Sequence, residues 1–103
     1  MNDKVFNYLG LAARGRLLVN GYNTCIFMAG KRKIKLIIIA EDLSENSAKK
    51  MIQLATSKNI PYRIYGSKES LSHITGKTDS GIFGITDENI TKAILEEIDY
   101  KKS

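Results

Sequence analysis

The sequence predicts an α/β fold, a three-layer α/β/α sandwich built on a four-stranded mixed sheet, and two observations carry that prediction. The first is the run Lys35-Leu36-Ile37-Ile38-Ile39-Ala40, whose five consecutive apolar residues, three of them β-branched, lack the alternation of a half-exposed strand. Such a strand is covered on both faces, so the sheet needs one layer above it and one below. The second is that segments of helical periodicity alternate with short strand-like runs along the chain, which supplies helices as the two covers. With 103 residues and no internal repeat, low-complexity segment or linker, the chain reads as one domain spanning positions 1–103. A domain of this size buries roughly two-thirds of its unfolded surface without staples.

Taken in order, Asn2 or Asp3 caps a first helix with Val5, Leu9 and Ala12 on one face, and Gly15 is expected to close it as a left-handed residue. Arg16-Leu17-Leu18-Val19 reads as a first strand, ended by the turn dipeptide Asn20-Gly21. Tyr22 to Ala29 reads as a short helix ended by Gly30, built largely from mediocre helix formers. After the central strand, Ser44 caps a helix whose Ala48, Met51, Ile52 and Ala55 keep the i, i+3, i+4, i+7 spacing. Asn59 is expected in its left-handed closing position, and Pro61 blocks continuation. Tyr62-Arg63-Ile64-Tyr65 is an alternating third strand. Ser67 caps a short helix that holds Leu71 and Ile74 and stops at Gly76. A polar loop over positions 77–80 leads to a fourth strand, Gly81-Ile82-Phe83-Gly84-Ile85-Thr86, and Asp87 opens a last helix with Ile90, Ala93, Ile94 and Ile98 on one face.

Charge is unevenly spread. The net charge is +5, yet from Lys4 to Ala40 there are seven basic residues and no acidic one, whereas from Glu41 onward nine basic residues meet ten acidic ones. One surface facing a polyanion explains that asymmetry, as does a merely solvated face. For Lys31-Arg32-Lys33 a structural explanation is also available, because cations at a helix carboxyl end complement its dipole. Cys25 is the single cysteine, so no disulfide framework exists. Without a secretory signal, this points to a reducing, cytoplasmic setting. No apolar run approaches the ~18 residues of a membrane span.

Catalytic and metal chemistry find little support. His73 and Cys25 are distant in sequence and lack an orienting third group. Paired His/Cys spacings for zinc are absent. Gly76-Lys77-Thr78 resembles the end of a phosphate loop, but the earlier glycine is replaced by Leu71 and the strand–helix order is reversed. Glu41-Asp42, at the end of the central strand, is either an acid–base or metal pair or a turn that places negative charge at the amino end of the next helix, and the second explanation is preferred. No catalytic residue, cofactor or metal site is therefore assigned.

The order of elements and several local motifs resemble the superfamily of archaeal and eukaryotic ribosomal proteins that bind kink-turn RNA, and within it the small bacterial YlxQ-like branch. The resemblance spans nearly the whole chain. It rests on Gly21 opening the second helix, Lys35 to Asp42 followed by Ser44 to Lys50, Ile60-Pro61-Tyr62, Ser67-Lys68-Glu69-Ser70-Leu71, Gly76-Lys77 and a final strand ending in Thr86-Asp87. It implies RNA contacts from the amino end of the second helix and from the loop before the final strand. In the kink-turn binders a Gly-x-Asn-Glu-x-x-Lys pattern opens that helix. Here Gly21 and Asn23 match, Thr24 replaces the glutamate, Phe27 replaces the lysine, and Leu71-Ser72 replaces a Leu-Gly.

Combined with the charge distribution, the resemblance nominates Arg14, Arg16, Gly21, Tyr22, Asn23, Thr24, Lys31, Lys68, Lys77 and Ser80 as RNA-binding residues. Phe27 is expected to face the core; Tyr22 either covers the core or stacks on a base. The implied activity is non-catalytic binding of structured RNA associated with the ribosome or translation machinery. The alternative is a protein–protein interaction module of the translation apparatus that has lost kink-turn binding, with partners among ribosomal or translation-factor proteins and no membrane role.

Overall fold

A computed structural model of the chain describes residues 3–77 and 81–102. Among these, the elements run α1 (Lys4–Arg14), β1 (Leu18–Asn20), α2 (Tyr22–Gly30), β2 (Leu36–Ile39), α3 (Glu45–Ser57), β3 (Tyr62–Ile64), α4 (Lys68–Thr75), β4 (Ile82–Ile85) and α5 (Glu88–Lys102). The strands form one mixed sheet in the order β1-β4-β2-β3. β4 runs antiparallel to both β1 and β2, while β2 and β3 are parallel. The carboxyl ends of β1, β2 and β3 thus share one edge with the start of β4, here called the carboxyl edge; the opposite edge is the amino edge.

β2 lies inside the sheet, buried at every residue, and its alternating side chains feed two cores. Leu36 and Ile38 join Phe83 and Ile85 against Val5, Leu9, Leu71 and Ile94, so α1, α4 and α5 cover one face. Ile37 and Ile39 join Ile82 against Cys25, Ala29, Met51 and Ala55, so α2 and α3 cover the other. This is the expected three-layer sandwich. Gly84 lets α2 and the residues after it settle closely, since a Cβ there would stand 2.6 Å from Ile34 Cδ1 and 3.4 Å from Cys25 Sγ.

Helix starts follow the sequence closely. Asp3 Oδ1 accepts from Phe6 N at 3.1 Å, Ser44 Oγ from Ser47 N at 3.3 Å, and Asp87 Oδ2 from Ile90 N at 2.8 Å. Helix ends differ in two places. Gly15 is not left-handed (φ −86°); Arg16 is, at φ 58°. The Arg16 N–H donates to Ala13 O and that of Leu17 to Ala12 O, so the turn that closes the helix falls one residue later than the glycine suggests, and β1 starts only at Leu18. α2 ends the same way: Gly30 is its last helical residue, and Arg32 takes the left-handed position at φ 60°. Asn59 (φ 58°) and Gly76 (φ 72°) occupy the positions expected of them. The alternation expected of β3 is blurred because it is an edge strand: Ile64 is 46% exposed, whereas Arg63 is half-buried and held by Asp99 of α5 at 2.9 Å.

Candidate nucleic-acid interface

Four chain segments meet at the carboxyl edge. Gly21 N donates to Ile82 O, Ala40 N to Gly81 O, Glu41 N to Gly66 O, and Lys68 N to Asp42 Oδ1, all within 2.7–3.0 Å. They join the starts of α2, α4 and β4 to the turn after β2. The destination of Asp42 corrects an expectation: its carboxylate charges the amino end of α4 rather than that of α3. The parallel pairing of β2 and β3 explains this, since it sets the turn after β2 beside the segment that leads into α4. Glu41 and Asp42 are both exposed.

The start of α2 stands apart. Gly21 adopts φ 99°, a region L-residues avoid, and supplies no side-chain cap; no acidic residue lies in the first turn. The other four helices are each capped by their own Asp or Ser. Cys25 N donates to Gly21 O and closes the first turn. Among the described residues, the N–H groups of Tyr22, Asn23 and Thr24, at the positive end of the helix dipole, are left without a side-chain acceptor, an arrangement suited to an anion. Asn23 and Thr24 are exposed, and Tyr22 is half-buried against the core under α2. Lys68 is exposed in the first turn of α4, Lys77 is exposed just beyond α4, and Ser80 lies outside the described residues.

The remaining nominated residues lie elsewhere. Arg16 precedes Leu18, whose partner Ile85 ends β4, and Lys31 follows the carboxyl end of α2; both stand at the amino edge. Arg14 ends α1 with its guanidinium folded back beside Gly10. The structure therefore divides the nominated residues between two ends of the sheet. Phe27 requires a further correction: it is 61% exposed. Cys25 and Ala29, four residues apart, are the α2 residues buried against the sheet, and the small pair lets the helix approach it while turning Phe27 outward.

A sequence profile of the ribosomal protein L7Ae/L30e/S12e/Gadd45 family matches residues 3–94. The chain belongs to this family. The RNA-binding protein YlxQ of Bacillus subtilis is 30% identical to it over 94 residues, covering 91% of this chain and 94% of the relative. The YlxQ protein of Enterococcus faecium is also 30% identical, over 94% of this chain and 93% of its own. Among solved structures, a Bacillus halodurans protein of unknown function matches with a TM-score of 0.91 and 26% identity, covering 95% of this chain and 99% of that one. The Giardia lamblia 15.5 kD RNA-binding protein shares the fold at a TM-score of 0.80 and 19% identity, over 97% and 92% of the two chains.

As a member of the L7Ae/L30e family the chain is not an enzyme. Cys25 packs under α2 while His73 is exposed on α4, on the opposite side of the sheet, so they form no catalytic pair. Burial pushes the Cys25 thiol up to about 12, which keeps it protonated and unreactive. Among the described residues, no three His, Cys, Asp or Glu side chains cluster as metal ligands, and no helix is long and apolar enough to cross a membrane.

Proposed function

We propose that this chain is a cytoplasmic RNA-binding protein associated with ribosomal RNA or the translation machinery, and that the amino end of α2 receives RNA phosphates. The observation that carries the reading is the uncapped start of α2 at Gly21 in a member of the L7Ae/L30e family. The YlxQ relatives, named as RNA-binding proteins, support it. In this reading the N–H groups of Tyr22, Asn23 and Thr24 hold phosphate oxygens, the Asn23 amide addresses a base edge, and Tyr22 limits how deeply the RNA approaches. Lys68 and Lys77 flank the opening, Ser80 is assigned to the site through the family resemblance alone, and Arg14, Arg16 and Lys31 add phosphate contacts at the other end of the sheet. Gly21 and Asn23 keep part of the kink-turn pattern; with Thr24 and Phe27 in place of its Glu and Lys, recognition relies on RNA shape and backbone more than on sheared G·A pairs.

Filter binding to ribosomal RNA fragments at low salt tests this. Binding is expected to weaken steeply with salt, because association releases counterions from the backbone. No affinity at low salt would refute it. A second reading, a protein-interaction module of the translation apparatus, is favoured by the exposed Phe27. Replacing Arg14, Arg16 and Lys77 together with Ala separates the two: RNA binding should collapse, while a largely apolar protein interface should persist.

A further inference from the structure

The carboxyl edge holds the open end of α2 but no excess of positive charge, since Lys68 and Lys77 are matched there by Glu41, Asp42 and Glu69, which are exposed too. The cations gather at the amino edge. Lys31, Arg32, Lys33 and Lys35 are exposed between α2 and β2, Lys58 stands at the end of α3, and none of the five has a carboxylate partner among the described residues. Between the two helix ends lies an open groove of about 700 Å³, lined in part by Gly30, Arg32, Lys35, Lys58, Asn59 and Pro61. Complementing a helix dipole accounts for a single cation at each helix end. It does not account for Lys35, which belongs to the start of β2, nor for Arg32 at φ 60°, where glycine, or the Asn59 that α3 uses, is less strained.

The exposed face of α2 joins the two ends. Asn23, Phe27 and Lys31 follow one another at i, i+4 and i+8 with Thr24 beside them, and all four are exposed. The Lys31 ammonium lies 4.9 Å from the Phe27 ring centroid, while the residue remains 61% exposed. A lone exposed aromatic is ordinary on a protein surface. This one lies on the line from the open helix end to the groove, a path of about 14 Å at the rise of an α-helix.

We infer that a single-stranded flank of the bound RNA runs along this face: one base stacks on Phe27, and the phosphates beyond it lie in the groove over Arg32, Lys35 and Lys58. This rests on the RNA-binding reading of the Gly21 end and adds to it a preference for RNA with an unpaired tail. An aromatic platform beside a basic groove holds unpaired bases with little regard to sequence. A base inside a duplex has no free face to offer it.

The test is filter binding of one structured RNA with and without an unpaired flank of about six nucleotides, a length that spans such a platform and groove. For the unaltered chain the flank should tighten binding by about tenfold. Phe27→Leu, which keeps apolar bulk at an exposed position and should leave the melting temperature unchanged, should remove most of that gain. The Lys35→Gln, Lys58→Gln double variant should remove part of it and lower the salt slope of the flanked complex by about 1. Both proteins should bind the unflanked RNA within about twofold of the unaltered chain, given that the flank contacts are separate from the Gly21 end. A flank that brings no gain overturns the inference, as does a gain that both variants retain; retention by Phe27→Leu would leave the ring to a protein partner. Failure to bind the unflanked RNA at low salt would instead overturn the proposed function.

Discussion

At the carboxyl edge of the sheet, α4 opens on Ser67, whose Oγ accepts from Ser70 N at 3.0 Å while Ser70 Oγ accepts from Ser67 N at 3.1 Å, and the Asp42 carboxylate takes the Lys68 N–H at 2.8 Å. At the same edge α2 opens on Gly21, with no side chain and no acidic neighbour in its first turn. A helix that opens on Gly in place of Asp or Ser gives up only a few tenths of a kcal/mol. The start of α4 is electrostatically closed, and that of α2 is left to a ligand. Only the second can receive a phosphate without first displacing a group of the protein.

The comparison breaks most sharply if α2 is given an internal anion. Gly21→Asp should weaken RNA binding by roughly 10–100-fold, the loss of one or two charge-assisted hydrogen bonds. Gly21→Ala should carry the backbone strain alone, about 1–3 kcal/mol for a Cβ in this extended positive-φ region, with a much smaller loss of affinity. Filter binding alongside urea unfolding separates the charge from the strain. The mirror experiment opens α4: Ser67→Ala should lower stability by about 1 kcal/mol and leave RNA affinity nearly unchanged in the same assays. Asp42→Asn keeps an acceptor for Lys68 N but removes a negative charge from the edge, so RNA should bind about twofold tighter at low salt, with the gain fading as salt screens it.

The smallest effect concerns a third start at this edge. Asp3 caps α1 through Oδ1 and accepts the Tyr65 hydroxyl through Oδ2 at 2.7 Å. Burial first, and that hydrogen bond second, push the Tyr65 phenol up to about 12. Because the folded value is raised, the stability this phenol contributes is fully present below its ordinary titration near pH 10 and is lost as pH rises towards 12. An ultraviolet difference titration of the chain against Tyr65→Phe should show one late step, near pH 12, that the variant lacks.

Much of the fold was legible because local chemistry and packing agree. The Leu36–Ile39 run is buried on both faces, and Asp3, Ser44, Ser67 and Asp87 cap the helices where their side chains suggest. Helix ends were harder. Gly15 looks like a left-handed terminator, yet the closing hydrogen bonds select Arg16, a strain the sequence hides. Of the candidate site, the Gly21 end was visible through the resemblance, and the structure added its missing side-chain cap. Phe27 was misplaced because Cys25, Ile26, Phe27, Met28 and Ala29 are all apolar, so composition does not say which face turns inward. The small pair Cys25 and Ala29, set four apart opposite Gly84, is the signal that could have said so. The groove under Arg32, Lys35 and Lys58 depends on bringing the ends of α2 and α3 together, which no local pattern encodes.

The most direct test of the contrast between the two helix starts is an amide chemical-shift titration of the nitrogen-15-labelled chain with a structured ribosomal RNA fragment at low salt. The amides of Tyr22, Asn23 and Thr24 should move most, and those of Ser70 and Leu71 in the self-capped first turn of α4 should stay nearly still. Saturable binding in which the α2 amides do not move, or in which the α4 amides move more, would contradict the account.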